Sequence, residues 1–238
     1  MAVFLLRANP LLMAPSGGRG PGRSRGLGVG ACVGLDGKGE RMSVWAMAAS
    51  RSVRGALRLL GWRIVGTPPA APRYVIIAAP HTSNWDFPLM LAATVALGIR
   101  VSWLGKNTLF RPPFGGVMRA LGGVPIDRSS AHNVVEQTAR AFRDNEKLVI
   151  LITPEGTRKR TDHWKSGFYH IACAAGTPLT LAFVDYARKR AGIGPTLTLT
   201  GDLDRDMRDI RAFYVDHAGA RHPERMGAIA VAPRDIRP

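Results

Sequence analysis

From Trp62 onward the chain alternates short apolar runs with longer stretches of helical period. Residues 74–79 (YVIIAA) are apolar and rich in strand formers, which predicts a buried strand, and Pro80 ends it. The same reading predicts strands at 63–65, 101–104, 124–126, 148–152, 179–184 and 196–200. Between them, helices are expected at 87–97, closed by Gly98, and at 130–145, 166–175 and 204–217, with short helical pieces at 107–110 and 114–121. Ser130 caps the second of these, and Val134, Val135, Thr138 and Phe142 mark its inner face. Strands separated by helices of this length predict an α/β layered fold with a largely parallel central sheet flanked by helices. The chain carries no internal repeat.

Residues 43–60 form an amphipathic pattern that stops at Gly61. Val44, Met47, Ala48, Val53, Ala56, Leu57 and Leu60 supply its apolar positions, and Arg51, Arg54 and Arg58 a basic flank. Two readings stay open: a helix lying in a lipid headgroup layer, or a surface helix packed on its own domain. Residues 1–41 are rich in Gly, Arg, Pro and Ser, have little to pack, and are expected to be a disordered leader. They faintly resemble an Arg-rich targeting peptide, but their glycines would weaken a helix. The expectation is instead a mis-assigned start, with translation beginning at Met42 or Met47. The predicted organisation is therefore a leader (1–41), an amphipathic helix (42–61) and a folded domain (62–238).

Composition narrows the partners. The 238 residues are 46% hydrophobic, enough for one substantial core, and carry a formal charge of +16 with a pI near 11.2. Such a balance favours phosphate-bearing partners: nucleic acid, anionic lipid headgroups or a phosphorylated cofactor. No apolar run reaches the ~18–20 residues of a membrane-spanning helix. The best, 87–99, is short and bounded by Asp86 and Arg100, so any membrane role is expected at the surface. Cys32 and Cys173 show neither disulfide nor metal-ligand spacing, which predicts a reducing, cytoplasmic setting, and Cys173 is expected to be buried filler.

Candidate chemistry follows the strands. After 74–79 comes PHTSNWDF, in which four residues separate His81 from Asp86. On one regular helix these positions lie about 140° apart and could not meet. They can meet if His81 sits in the turn before a helix and Asp86 in its first turn, and Thr82, Ser83 and Asn84 are all N-cap residues suited to a helix starting near Trp85. A carboxylate on one ring nitrogen then leaves the other free to take a proton; a helix cap beside an incidental histidine is the alternative. A second cluster, GGVPIDR (122–128), and a third, PEGTR (154–158), each follow a predicted strand. Singly, each could be a surface turn with a local ion pair. Three polar clusters beyond buried strands point to a ligand site, because open α/β sheets bind ligands past the carboxyl ends of their strands.

The order His81-x4-Asp86, GGVPIDR, PEGTR and then an apolar strand opened by Thr177-Pro178 resembles the glycerophospholipid acyltransferase family, typified by 1-acylglycerol-3-phosphate acyltransferases. The resemblance covers about Trp62 to Asp185. It implies that 62–238 is an acyltransferase domain, that His81 is the catalytic base, and that Asp86 orients it. It further implies that Gly123, Asp127, Arg128, Glu155, Gly156, Thr157 and Arg158 shape the acceptor site. Arg158, Arg128 and Lys106 would hold an acceptor phosphate. Pro80 stands where many members have Asn, and Pro125 where a bulky apolar residue is common.

The implied reaction moves a fatty acyl group from acyl-CoA or acyl carrier protein, as co-substrate, to the hydroxyl of a glycerophospholipid precursor such as lysophosphatidate. Backbone amides near the helix start are candidate donors to the oxyanion, and neither metal nor cofactor is required. The expected partners are the acyl carrier, a lipid acceptor and an anionic membrane surface, with the protein peripheral to the inner face of the membrane. Nucleic acid is not expected, since the basic residues interleave with helical apolar faces rather than exposed aromatics. The competing readings are a basic lipid-binding module without catalysis, a hydrolase using water, and an acyltransferase acting on a phosphate-free amino lipid.

Overall fold

The computed structural model describes residues 44–126, 131–217 and 219–232. The leader 1–41, the cap Ser130, and Asp127 and Arg128 of the second cluster lie outside them. Among the described residues seven strands form one sheet: β1 (Arg63–Val65), β2 (Arg73–Ala79), β3 (Ser102–Lys106), β4 (Gly123–Ile126), β5 (Leu148–Ile152), β6 (Leu179–Asp185) and β7 (Arg190–Leu197). Their spatial order is β1-β7-β6-β2-β5-β3-β4. Strands β2 to β6 run parallel, whereas β7 returns antiparallel to β6 and β1 runs parallel to β7. The expected α/β layered fold with a largely parallel sheet is what forms.

Period-2 alternation along β2 assigns the two faces. Val75, Ile77 and Ala79 point to a core shared with α4 (Ala131–Asp144), α5 (Gly167–Ala175) and α6 (Leu203–Asp216). Tyr74, Ile76 and Ala78 point to the other core, under α2 (Asp86–Leu97). Because both faces are covered, β2 is buried from Tyr74 to Ala79 and reads as a continuous apolar run. Tyr214 of α6 reaches through the first core with its hydroxyl 2.9 Å from the carbonyl oxygens of both Ile77 and Ala182, which ties β2 to β6 next to the site.

The chain leaves β2 through α2 to β3, then passes a 3-10 turn (Asn107–Phe110), α3 (Gly115–Ala120) and β4 before α4 brings β5 back between β2 and β3. From β5, α5 leads to β6 on the opposite side of β2. Connections therefore diverge to either side of the central strands, the arrangement that opens a crevice at strand carboxyl ends.

Two expectations need correcting. The last strand is Arg190–Leu197, not 196–200. Gly192 and Gly194 suggest a break in the sequence but serve close packing: a Cβ at Gly192 would sit 2.0 Å from Val65 O, and one at Gly194 would strike the Phe213 ring. Thr200 instead bonds Asp206 in the first turn of α6. Cys173 is exposed on the outer flank of α5, whose inward positions are Phe168, Tyr169, Ile171 and Ala172.

The amphipathic segment forms α1 (Val44–Leu59) and packs on α2, burying Ala46 and Leu57. Ser50 Oγ and Arg54 Nη2 donate to Ala96 O at the C-terminal end of α2, at 2.7 and 3.1 Å. Met47, Ala48, Ala56 and Leu60 face outward, so the inner stripe is narrower than the apolar pattern suggests.

Gly123 offers a test of these packing arguments. A Cβ there would lie 2.6 Å from Met118 O and 2.7 Å from the Phe110 and Trp103 rings. Gly123→Ala is expected to lose about 1–3 kcal/mol of stability through overpacking, measured by denaturant unfolding. Unchanged stability would show that β4 can shift.

Candidate active site

At the carboxyl end of β2, Pro80 ends the strand and His81 begins the turn into α2. Asp86 is the first residue of that helix and only 1% exposed. Its Oδ2 accepts the backbone N–H groups of Thr82 (2.7 Å) and Ser83 (2.8 Å), and its Oδ1 accepts the Tyr186 hydroxyl (2.7 Å). His81 Nδ1 lies 3.2 Å from Oδ2, within ion-pair reach but misaligned for a hydrogen bond. Catalytic hydrogen bonds are often loose before substrate binds. Burial pushes the Asp86 carboxyl up, yet the His81 ring beside it and donation from the Ser83 amide and Tyr186 outweigh it and hold the group below its ordinary range. The side chain thus remains a carboxylate.

The third cluster reaches the same turn from β5. Glu155 is buried, and its Oε2 accepts the backbone N–H of His81 at 2.7 Å. Burial, opposed by that hydrogen bond and reinforced by the Asp86 charge, raises its pKa to about 7. Glu155 therefore supports the backbone of His81 rather than facing a ligand, and no ion pair joins it to Arg158 among the described residues.

A cavity of about 580 Å³ opens beside these groups, a volume typical of small-molecule sites. Phe87, Met90, Leu91, Trp103, Leu104 and Met118 make its walls apolar. His81, Asn84, Lys106, Gly156, Thr157 and Arg158 supply its polar edge. Of the expected site residues, the structure thus brings His81, Lys106, Gly156, Thr157 and Arg158 to one cavity and sets Asp86 and Glu155 behind His81. Gly123 is not on the cavity wall; it is buried under the Trp103 and Phe110 rings.

Most amides of the turn into α2 are already engaged, and that of Asn84, on the cavity edge, is not among them. Those of Thr82 and Ser83 are held by Asp86, that of Trp85 by Ser83 Oγ, that of Asp86 by Ser83 O, and that of His81 by Glu155. The Asn84 amide and the side chains of Asn84, Lys106, Thr157 and Arg158 are the donors that remain beside the cavity.

Sequence reasoning missed Tyr186 and the segment after α6. Tyr186 follows β6 and packs edge-on against Trp62. Arg221 lies over the rings of both Tyr186 and Trp85, and Arg225 Nη1 donates to Thr82 O at 3.2 Å. Nothing local marks these residues; an aromatic placed directly after the last parallel strand was the available signal.

Residues 65–181, about half of the chain, match the family model described as Acyltransferase. The match assigns residues 65–181 to the acyltransferase family, in agreement with the resemblance carried by the motifs, and the chain is an enzyme of that class. A search of curated proteins finds no match. Among solved structures, the 1-acyl-sn-glycerophosphate (LPA) acyltransferase PlsC from Thermotoga maritima is similar, with a TM-score of 0.48 and 17% identity over 74% of this chain and 80% of that one.

The raised Glu155 pKa has a consequence for stability. Below about pH 4.5 the group is protonated folded and unfolded alike. As pH rises from there to about 7 the unfolded chain ionises first, so stability is lost across that window. The loss approaches about 3 kcal/mol if the whole shift is realised. Glu155→Gln keeps an acceptor for the His81 amide without the charge. Its stability between pH 4.5 and 7, measured by urea unfolding, should fall less than that of the parent; parallel curves would contradict the assignment.

Proposed function

We propose that this enzyme transfers an acyl group from an acyl thioester, carried by CoA or acyl carrier protein, to the hydroxyl of a lysophosphatidate-type acceptor. The observation that carries the reading is the junction of an oriented histidine with an apolar cavity whose polar edge holds Lys106 and Arg158. A fatty chain fits such walls, and a phosphate fits such an edge. Membership of the acyltransferase family supplies the class of reaction.

A hydroxyl is a poor nucleophile at neutral pH, so its proton must leave as it attacks. With Nδ1 facing Asp86, Nε2 of neutral His81 is the nitrogen left to accept that proton. The acceptor oxygen bonds to the thioester carbon and the carbonyl electrons move onto its oxygen. Collapse of that intermediate breaks the C–S bond, and the imidazolium returns the proton to the departing thiolate. Asp86 fixes the ring tautomer and offsets the imidazolium charge, as in the histidine–aspartate half of a serine-hydrolase triad. Arg158 offers a planar two-pronged grip on the acceptor phosphate, and Lys106 a point charge. The Asn84 amide and the side chains on the cavity edge meet the oxyanion.

The direct test is transfer from labelled acyl-CoA to lysophosphatidate by purified protein, with the product read by lipid mass spectrometry. His81→Ala should lower kcat by about 10²–10⁴ with the fold intact, the usual worth of a general base. A near-normal kcat would rule the mechanism out.

Arg158→Lys keeps the charge and loses the fork. The acceptor KM should rise roughly tenfold while that of the acyl donor changes little. If a phosphate-free amino lipid serves parent and variant equally well and lysophosphatidate is never used, Arg158 is not a phosphate clamp.

A further inference from the structure

From Gly98 to Ile126 the chain contains no Asp or Glu, but it contains Arg100, Lys106, Arg111 and Arg119. Within this wholly cationic stretch the 3-10 turn and α3 turn one side inward. Phe110 is buried and stacks on Trp103, Arg119 Nη1 donates to Phe110 O at 3.3 Å, and Gly115 fits against that same carbonyl. Their other side carries Leu109, Phe114 and Val117, exposed by 49%, 67% and 54%, with Arg111 exposed between them.

An aromatic, two aliphatics and interleaved cations without any acid are the composition of a surface that sits in an anionic headgroup layer. Position favours the same partner. Leu109, Thr108 and Met118 also line the cavity, so the exposed ridge continues into its apolar wall. The segment follows the carboxyl end of β3, on the edge of the sheet where His81 lies. Helix α1 is anchored through Ser50 and Arg54 to the far end of α2, and only its C-terminal end, leading to Trp62 beside Tyr186, comes back to the His81 edge.

We propose that the ridge of Leu109, Phe114 and Val117, flanked by Arg111, is the face that enters an anionic bilayer and opens the cavity to lipid. This deepens the reading above by naming the route of a lipid acceptor. Vesicle partition is read without turnover, so the two ideas fail separately: a protein that docks yet transfers nothing refutes the chemistry alone.

The test uses the full chain and sedimentation with vesicles of phosphatidylglycerol and phosphatidylethanolamine, beside vesicles of phosphatidylcholine. Phe114→Ser with Val117→Ser, both outside the cavity wall, should weaken partition to the anionic vesicles about tenfold or more. Their exposure leaves the melting temperature near that of the parent. Val117→Trp adds an interfacial aromatic and should tighten partition at an unchanged melting temperature and without pelleting in the absence of vesicles. Arg51→Gln with Arg58→Gln on α1 should have the smaller effect. The proposal is overturned if the ridge variants partition like the parent while the α1 variant is released. It is equally overturned if partition is unchanged and KM for an acyl carrier protein rises, which would make the ridge a docking face for an acidic protein.

Discussion

One buried carboxylate holds the active turn together. Asp86 draws two backbone amides, a tyrosine hydroxyl and an imidazole nitrogen around itself at the start of α2. Each neighbour helps to keep it ionised against a burial that pushes its pKa up. Removing the charge would therefore loosen the turn, the histidine and the tyrosine together, because charge-assisted hydrogen bonds are stronger than neutral ones. The bonds of Asp86 reach back to the amides of Thr82 and Ser83, ahead of the helix, and so pin the turn carrying His81 against the helix start.

The sheet and most helices were legible in the sequence because their periods are local. Val75, Ile77 and Ala79 alternate with Ile76 and Ala78 between two cores, and Gly98 and Gly176 end their helices in left-handed conformation. The pattern misled where glycines answer to neighbours remote in sequence. Gly192 reads as a break, yet it is required by the backbone of β1 pressing against β7. The proximity of His81 and Asp86 follows from spacing and a helix start. The partners that set their environment, Glu155 and Tyr186, lie 74 and 100 residues from the groups they bond, and no short motif records such distances. Neither does spacing reveal that most amides of the turn are already engaged.

Charge and apolar surface are divided in a way that composition conceals. The excess of cations is a property of the whole chain, and stretches without any acid run through both 41–85, which holds α1, and 87–126. On α1 the arginines are partly committed to the fold, as Arg54 shows by donating to Ala96 O. Amphipathic periodicity therefore identifies a helix with two faces without saying which face the protein keeps for itself.

The long separations around His81 also order events during synthesis. Ribosomes deliver β2 and α2 early, but Glu155 arrives after β5, and Tyr186 only once β6 is complete. Strand pairing by β2 with both β5 and β6 closes long loops and is correspondingly slow. A nascent chain holding both His81 and Asp86 thus lacks the backbone support of the one and a hydroxyl donor of the other. The hydrogen-bonding environment of His81 and Asp86 is therefore complete only after β6 has been made.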